Sequence, residues 1–279
     1  MIKMKIAVVG LGLIGGSLAK AFSEQENVTL YCLDRDETTI ARARLEKAMD
    51  KVLTKDNIGE CDVVFVALYP KASEEFLREY APFISKDATV IDCGGTKKSI
   101  CKVGFKLAEE YGFCFVGGHP MAGTHFSGFA HSRASLFSGA SMILVPKKGE
   151  TIETLENIKK ILVAAGFKSV TISSAEEHDR IIAYTSQLPH VVSNAFVKSP
   201  NAQVHKGFSA GSYRDLTRVA KLNPAMWAEL FLENRENLTF EIENLIGELQ
   251  KYNDAIKNGD REELEKLLSE GTKIKESIG

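Results

Sequence analysis

The residue types most clearly suited to chemistry near the N-terminus are the glycines of a Gly-x-Gly-x-x-Gly motif, Gly10, Gly12 and Gly15. The motif follows an apolar, β-branched run and opens a segment with helical spacing, which is the context that a dinucleotide site requires. The first glycine makes the turn, the second lets the backbone approach a pyrophosphate, and the third lets helix and strand pack closely. We therefore expect this turn, with Leu13 and Ile14, to hold a dinucleotide at a helix N-terminus.

An acidic residue, Asp34, ends the second apolar run at about the 20-residue interval typical of such sites. A carboxylate there can accept both ribose hydroxyls of NAD and repels the 2′-phosphate of NADP. Arg35 follows directly, and an arginine in this region can pair with that phosphate. The sequence favours NAD, with NADP as the alternative. A tight strand–helix turn that binds nothing is the remaining interpretation, and the context of the motif together with Asp34 argues against it.

A histidine, His119, opens the segment His119–Thr124 (HPMAGT), directly after the predicted strand 113–118, whose apolar run ends at Val116. That position is the carboxyl edge of the sheet, where doubly wound folds bind their ligands. A lone loop histidine is usually solvated, but this one is expected beside the nicotinamide end of the cofactor site. Neutral imidazole, with an ordinary pKa near 6.5, can accept a proton at physiological pH.

A second group of polar residues lies in the C-terminal half. Ser186 and His190 flank Pro189 in an apolar segment with helical spacing. Proline costs about 3 kcal/mol inside a helix, so a functional or packing reason is expected. Arg218 is either a surface cation or a bidentate clamp for a carboxylate.

The elements that must position these residues alternate in the first half of the chain. Near-continuous apolar runs are typical of strands buried on both faces, and their alternation with helices predicts right-handed βαβ units in a parallel sheet. Predicted strands cover residues 4–9, 28–33, 62–68, 89–92, 113–118, 141–146 and 169–173. Predicted helices cover residues 14–24, 36–47, 71–80, 97–111 and 151–165. The fold class is therefore α/β, with an N-terminal Rossmann-type doubly wound sheet.

The pattern changes near residue 174, after which no convincing strand appears. We predict a helix over 175–198 interrupted at Pro189, a long helix over 225–257, and a charged amphipathic helix over 260–277. The apolar positions of 225–257 spread around much of the circumference, which is typical of a helix that buries a face against a partner. We expect a dinucleotide-binding domain, 1–173, and an all-helical domain, 174–279, that forms a homodimer; a self-contained bundle is the alternative.

The composition limits the classes of function. Lys and Arg number 35 against 37 Asp and Glu, a net charge of −2, which argues against nucleic-acid binding through a basic face. No run of 18 apolar residues predicts a membrane span, and the N-terminus lacks the features of a signal peptide. Five cysteines without a C-x-x-C pair argue against a disulfide framework or a zinc site. We expect a cytoplasmic protein without a metal.

Several motifs together resemble those of the prephenate dehydrogenase family, which includes the arogenate dehydrogenases. They stand in the family's order over essentially the whole chain: Gly10–Gly16 (GLGLIGG), Asp92–Lys97 (DCGGTK), Gly117–Gly123 (GGHPMAG), Gln187–His190 (QLPH), Asp215–Arg218 (DLTR) and Pro224–Asn237 (PAMWAELFLENREN). The resemblance implies a Rossmann domain, a helical dimerisation domain and an active site between them. It implies oxidative decarboxylation of prephenate to 4-hydroxyphenylpyruvate, CO2 and NADH in tyrosine biosynthesis, with no appended regulatory or mutase domain.

The resemblance also implies roles for individual residues. His119 matches the family's catalytic histidine, bonded to the ring C4 hydroxyl, His190 its substrate-positioning histidine, and Arg218 its carboxylate-binding arginine. Gly95 departs from the family, which often has a serine there that contacts the same hydroxyl; Thr96 or a water is expected in its place. The other residues expected at the substrate are Thr124, His125 and Ser186.

Three other functions are alternatives. Arogenate carries a side-chain ammonium, and the loop 119–128 has no acidic residue to meet it, which favours prephenate. β-Hydroxyacid dehydrogenases typically carry a catalytic lysine four positions before an asparagine, where this chain has His190 before Asn194. A sensor with a degenerate site would not be expected to keep His119, His190 and Arg218.

Overall fold

The computed structural model describes residues 3–124 and 126–279. In these residues eight strands form one sheet in the order β3-β2-β1-β4-β5-β6-β7-β8. The strands are β1 (Met4–Val9), β2 (Val28–Leu33), β3 (Lys51–Val52), β4 (Val63–Val66), β5 (Thr89–Asp92), β6 (Cys114–Pro120), β7 (Ser141–Pro146) and β8 (Ser169–Ile172). The predicted doubly wound sheet is confirmed, with one added short edge strand, β3.

Helices cover both faces of this sheet. They are α1 (Leu13–Ser23), α2 (Glu37–Leu45), α3 (Pro70–Tyr80), α4 (Lys98–Tyr111) and α5 (Ile152–Ala164). Successive side chains of a strand point to opposite faces, so Ile6 and Val8 of β1 join the core under α1 and α5, while Ala7 and Val9 join the core under α3 and α4. These two apolar layers explain why the buried strands are apolar without alternation.

The sheet is not wholly parallel, which corrects the sequence prediction. Strand β7 runs antiparallel to β6, with His119 opposite Ile143, whereas every other neighbouring pair is parallel. The connection between β6 and β7 holds only two short 3₁₀ turns, Phe129–His131 and Ala134–Phe137. Because no helix carries the chain back across the sheet, the chain re-enters at the same end of the strands at which β6 leaves. The next strand must therefore run antiparallel.

After β8 the described residues form six α-helices and their connections. The helices are α6 (Ala175–Ile182), α7 (Leu188–Phe196), α8 (Gly211–Thr217), α9 (Pro224–Glu233), α10 (Arg235–Asn258) and α11 (Arg261–Ile278). In the part of the chain that the structure describes, no helix is both long and apolar enough to cross a membrane.

Two predicted helices differ from the structure in where they are divided: the one over 175–198 was expected to break at Pro189, and the one over 225–257 was expected to be continuous. The break near Pro189 is a π-helical turn, Ala183–Gln187, in which the N–H of Leu188 donates to the carbonyl of Ala183 five residues back. This wider turn comes before the proline, so the proline starts α7 instead of interrupting a helix. The predicted helix over 225–257 is split at Asn234 into α9 and α10, and α10 alone is about 36 Å long.

Candidate active site

The glycine turn between β1 and α1 has the geometry expected of a dinucleotide site. Gly10 has a φ of +85°, and a Cβ there would lie 2.6 Å from the carbonyl oxygen of Ala67. A Cβ on Gly15 would lie 1.8 Å from the carbonyl oxygen of Gly10, whereas nothing lies within 4 Å of a Cβ on Gly12. The first and third glycines are therefore required by the turn itself, and the second leaves open space in front of the helix N-terminus.

Asp34 lies beside this turn, directly after β2. Its Oδ2 accepts the N–H of Leu11 at 2.7 Å, and its Oδ1 accepts the N–H of Asp36 at 2.9 Å. The two bonds fix the carboxylate against the turn, and each oxygen keeps acceptor capacity for a ribose hydroxyl. Arg35 is exposed. With the open space at Gly12 and the unpaired N–H groups of Leu13 and Ile14 in the first turn of α1, these residues fit a dinucleotide.

His119 lies within β6, not after it, because the strand continues beyond Val116 as far as Pro120. Pairing with β7 extends the strand, since Gly118 and His119 lie opposite Leu144 and Ile143. The predicted location at the carboxyl edge holds nevertheless: β6 is parallel to β5 and ends at the edge that carries the glycine turn. A strand holds a side chain more rigidly than a loop, which suits a residue that must meet a substrate atom.

The imidazole of His119 contacts a second histidine that the sequence interpretation missed. Its Nδ1 lies 2.9 Å from Nε2 of His178, and Nδ1 of His178 lies 2.7 Å from Oδ1 of Asp179. His178 and Asp179 are buried and belong to α6. Burial lowers the pKa of His119 well below 6.5, and neighbouring His178 and Lys97 lower it further. His119 is therefore neutral at physiological pH and can accept a proton.

A buried ion pair lies beneath His119. The ammonium of Lys97 contacts the carboxylate of Asp92 at the end of β5, and both side chains are almost completely excluded from solvent. Asp92 also accepts the N–H groups of Gly94, at 2.8 Å, and Gly118, at 3.3 Å. The pair fixes the segment 93–97 against β6. Both residues lie in the DCGGTK motif, but their residue types and spacing alone do not indicate a buried ion pair.

The helical half contributes His190 at the π-helical turn. Its Nδ1 donates to the carbonyl of Ser186 at 2.7 Å, and its ring stacks on Trp227 with 4.1 Å between ring centroids. Burial lowers the pKa of His190 and nearby Arg218 lowers it further, although the bond to Ser186 opposes both. The donor role of Nδ1 leaves Nε2 with a lone pair. Ser186 contacts His190 through its backbone carbonyl, and its expected contact with the substrate stays a prediction.

Arg218 follows the end of α8, and its side chain is exposed. Within residues 3–124 and 126–279 no carboxylate lies at ion-pair distance from its guanidinium. Its positive charge contributes to lowering the pKa of His190. An unpaired guanidinium can bind a substrate carboxylate.

Thr96 is buried and its hydroxyl already has an acceptor. Its Oγ1 donates to Oε2 of Glu233 in α9 at 2.8 Å. Burial raises the pKa of Glu233, with Glu74 and Glu229 acting in the same direction and the Thr96 bond against it. Thr96 as the replacement for the family serine therefore stays a prediction, since its O–H would have to leave Glu233.

The remaining predicted substrate residues follow β6. Thr124 is exposed, and its Oγ1 accepts the N–H of Phe126 at 3.2 Å. His125 lies outside the described residues. In the portion of the chain that is described, no group of three His, Cys, Asp or Glu side chains is arranged to hold a metal ion.

Asn234 links α6 to the π-helical turn. Its Nδ2 donates to the carbonyl of Asp179 at 2.7 Å and to Oε1 of Gln187 at 2.8 Å, and Gln187 in turn donates to the carbonyl of Leu230 at 3.2 Å. Each of these groups is buried or partly buried. The asparagine that divides α9 from α10 thus fixes α9 against the π-helical turn next to His190.

A doubly wound sheet with a glycine turn, an acidic residue after its second strand and a helical C-terminal half defines the class of nicotinamide-dependent dehydrogenases. Residues 18–171 match the family model for the prephenate dehydrogenase nucleotide-binding domain, and residues 174–270 match that for the prephenate dehydrogenase dimerization domain. The chain belongs to the prephenate dehydrogenase family, as its motifs predicted.

Individual relatives agree with this assignment. The chain is 31% identical to a prephenate dehydrogenase of Lactococcus lactis over 98% of this chain and 77% of the relative. It is 32% identical to a cyclohexadienyl dehydrogenase of Zymomonas mobilis over 97% of this chain and 94% of the relative. A crystal structure of a prephenate dehydrogenase from A. aeolicus, in complex with hydroxyphenyl propionate and NAD+, superposes with a TM-score of 0.85 at 29% identity and covers 100% of this chain and 99% of that one.

Proposed function

We propose that this chain catalyses the oxidative decarboxylation of prephenate to 4-hydroxyphenylpyruvate with reduction of NAD, as a step of tyrosine biosynthesis. The observation that carries the proposal is the neutral His119 at the carboxyl edge of a dinucleotide-binding sheet, in a chain whose two halves match the prephenate dehydrogenase models. The substrate and the products rest on the family relationship, and the proposed residue roles rest on the family motifs with support from the geometry.

The residues of the glycine turn would hold the cofactor. The N–H groups at the start of α1 would bind the pyrophosphate, and Asp34 would accept the ribose hydroxyls and exclude a 2′-phosphate. The contacts with Leu11 and Asp36 hold the carboxylate in place for this role. When bound, the nicotinamide accepts a hydride from C4 of the substrate.

His119 would take the proton of the C4 hydroxyl on its Nε2. Its lowered pKa keeps the lone pair available, and the strand keeps the ring at the sheet edge. The bond between the ring and the leaving carboxyl group then breaks and CO2 departs; its electron pair completes the aromatic ring, and the C4 oxygen takes the proton back from His119 to give the phenol. The gain of aromaticity favours the product, so the protein needs to place groups and to accept and return one proton.

Prephenate carries two carboxylates, so at least one cation is needed to bind it. Arg218 is our candidate because its guanidinium has no ion-pair partner in the described part of the chain. His190, held by Ser186 and Trp227, would orient the substrate beside it. Thr124 and His125, after β6, stay predicted substrate contacts.

Arogenate is the second candidate substrate, since one relative is a cyclohexadienyl dehydrogenase. The deciding experiment is steady-state kinetics on the four combinations of prephenate or arogenate with NAD or NADP. We expect the highest kcat/KM for prephenate with NAD. A higher kcat/KM for arogenate would reverse the substrate assignment, and no activity with either would reject the reaction.

We further propose that the nucleotide-binding domain spans residues 1–173 and that the helical domain, 174–279, forms a homodimer. The match to a dimerization domain and the large apolar side chains exposed on α10 support this. Phe240 is 61% exposed and Ile256 is 65% exposed in the single chain. The absence of nucleic-acid binding and the cytoplasmic location stay predictions from the sequence.

A further inference from the structure

A line of three side chains runs from the sheet edge into the helical domain. His119 of β6 contacts His178 of α6, which contacts Asp179, with separations of 2.9 and 2.7 Å. His178 is 2% exposed and Asp179 is 1% exposed. Burying a polar group is costly unless it forms hydrogen bonds, and both of these buried side chains form hydrogen bonds within the line.

The acceptor at the end of the line determines the direction of every hydrogen bond in it. Oδ1 of Asp179 accepts the N–H of Lys97 at 2.7 Å, and Oδ2 accepts the N–H of Lys98 at 2.9 Å. A carboxylate is an acceptor only, so Nδ1 of His178 must be the donor to it. A neutral imidazole has one N–H, so Nε2 of His178 must then be an acceptor.

The same reasoning applies to His119. Because Nε2 of His178 accepts, Nδ1 of His119 must donate, and the lone pair of His119 is on Nε2. Nε2 is the ring nitrogen of His119 that does not contact His178. The tautomer that a base needs is therefore selected by a carboxylate two side chains away.

The charges around the line also suit proton uptake. The groups that face it are Asp179 on α6, Asp92 at the end of β5 and Lys97 before α4. These three groups sum to one negative charge, and a proton on His119 brings that sum to zero. Burial, His178 and Lys97 disfavour the cation on His119, whereas the carboxylate of Asp179 beyond His178 favours it.

We propose that His178 and Asp179 are positioning residues for the reaction proposed above, holding His119 as its Nδ1–H tautomer and stabilising the positive charge it gains when Nε2 takes the substrate proton. They touch neither substrate nor cofactor, and they act through His119. The inference rests on the proposed function for its chemical purpose, but the tautomer can be measured without any substrate.

Two substitutions of His178 distinguish the loss of the hydrogen-bond acceptor from the loss of side-chain volume. His178→Leu fills the space but offers no acceptor to His119, whereas His178→Gln offers an amide oxygen and is the matched control. We expect His178→Leu to lower kcat by about 10²–10⁴-fold, the range typical of a lost general base, with little change in KM for either substrate. His178→Gln should keep a kcat at least about tenfold above that of the Leu variant. Equal losses in the two variants, or no loss in the Leu variant, would overturn the proposal.

A third substitution tests the charge. In Asp179→Asn the amide oxygen can still accept from Lys97 and His178, so the tautomer is kept while the negative charge is removed. The acid limb of kcat/KM should then lie at lower pH than in the wild type, because the cation on His119 has lost its stabilisation. A destabilised but otherwise normal enzyme would keep the wild-type acid limb, and that result would reject the charge role of Asp179.

Nitrogen-15 NMR of the histidine side chains tests the tautomer directly on the free protein. We expect His119 of the wild type to carry its proton on Nδ1, and the His178→Leu variant to lose this preference. A wild-type His119 protonated on Nε2 would refute the inference whatever the substrate is. If the tautomer is as expected but prephenate is not converted, the proposed function fails and the assignment of the line stands.

Discussion

The side chain of Leu230 lies over Gly95, such that a Cβ placed on Gly95 would be 3.3 Å from Cδ2 of Leu230. Gly95 precedes α4 and Leu230 belongs to α9, so this contact joins the sheet domain to the helical half. It occurs where relatives often carry a serine. The missing side chain at Gly95 is thus matched by a leucine across the contact, and the two positions are expected to depend on each other.

Gly95→Ser should therefore destabilise the protein, by about 1 kcal/mol, because Leu230 has to move by a few tenths of an ångström in a packed contact. Leu230→Val removes a methylene group and makes room. Urea unfolding of the two single variants and the double variant measures the dependence. We expect the double variant to be more stable than the sum of the single effects allows. Strictly additive effects would mean that Leu230 does not limit the residue at Gly95.

A change at Asp34 should alter the choice of cofactor. Asp34→Ser removes the charge that would repel a 2′-phosphate and leaves exposed Arg35 free to pair with one. We expect the ratio of kcat/KM with NADP to that with NAD to rise by about tenfold or more, or ~1.4 kcal/mol. Asp36→Ser is the matched control, since Asp36 caps α2 through the N–H of Thr38 and its loss should leave the ratio unchanged. A wild type that already prefers NADP would contradict the role of Asp34.

Much of the fold could be predicted because its signals are local. The strands β1, β2, β5 and β7 are continuous apolar runs, and the glycine turn has a fixed spacing, so their positions needed no knowledge of distant contacts. The reversed direction of β7 depends on the absence of a crossover helix. The division at Asn234 depends on acceptors, Asp179 and Gln187, that are far away in sequence.

Some residues of the candidate site could likewise be predicted from the sequence, and others could not. His119, His190 and Arg218 stand in motifs and could be proposed from residue type and position. His178 and Asp179 could not, because the segment Glu176–Asp179 has the composition of an exposed helix face, and only the packing of α6 against α4 buries half of it. The Lys97–Asp92 pair could not be predicted for a similar reason. Lysine is rarely buried, and a buried lysine is expected only where a partner such as Asp92 is known to lie beside it.

Loss of the Arg218 guanidinium should weaken substrate binding. Removal of one partner of a desolvated charge pair costs about 2–5 kcal/mol, and the exposure of Arg218 in the free chain suggests the lower end. Arg218→Ala should raise KM for prephenate by roughly 30-fold and leave NAD binding nearly unchanged. Arg214→Ala, on an exposed arginine one turn earlier near the same helix end, is the control. Similar KM values in both variants would make Arg218 an ordinary surface cation.

The apolar surface of α10 predicts the state of assembly. Phe240, Ile246, Leu249 and Ile256 are each more than half exposed in the single chain, an arrangement unusual for a helix that faces only water. Sedimentation at micromolar concentration should give about twice 30.7 kDa. A Phe240→Arg, Ile246→Arg double variant should sediment as a monomer. A wild type that is monomeric under these conditions would remove the argument for an interface on this helix.

The proton-accepting role of His119 predicts both a rate and a pH profile. Asparagine is similar in shape and can still bond the hydroxyl, but it cannot take its proton near neutral pH. His119→Asn should lower kcat by about 10²–10⁴-fold with little change in KM, because we expect ground-state binding to rest mainly on Arg218 and His190. The pKa of His119 lies well below 6.5, so wild-type activity should persist below pH 6.5 and fall only as the pH drops through this lowered pKa.

The same lowered pKa links His119 to the stability of the fold. Between the folded and the unfolded pKa the unfolded chain binds more protons, so this histidine favours unfolding as the pH falls below about 6.5. His119→Asn removes that contribution, and the variant should lose less stability than the wild type over the acid range in urea unfolding. It should also lose the acid limb of the rate. A variant that keeps the wild-type acid limb would show that another residue accepts the proton.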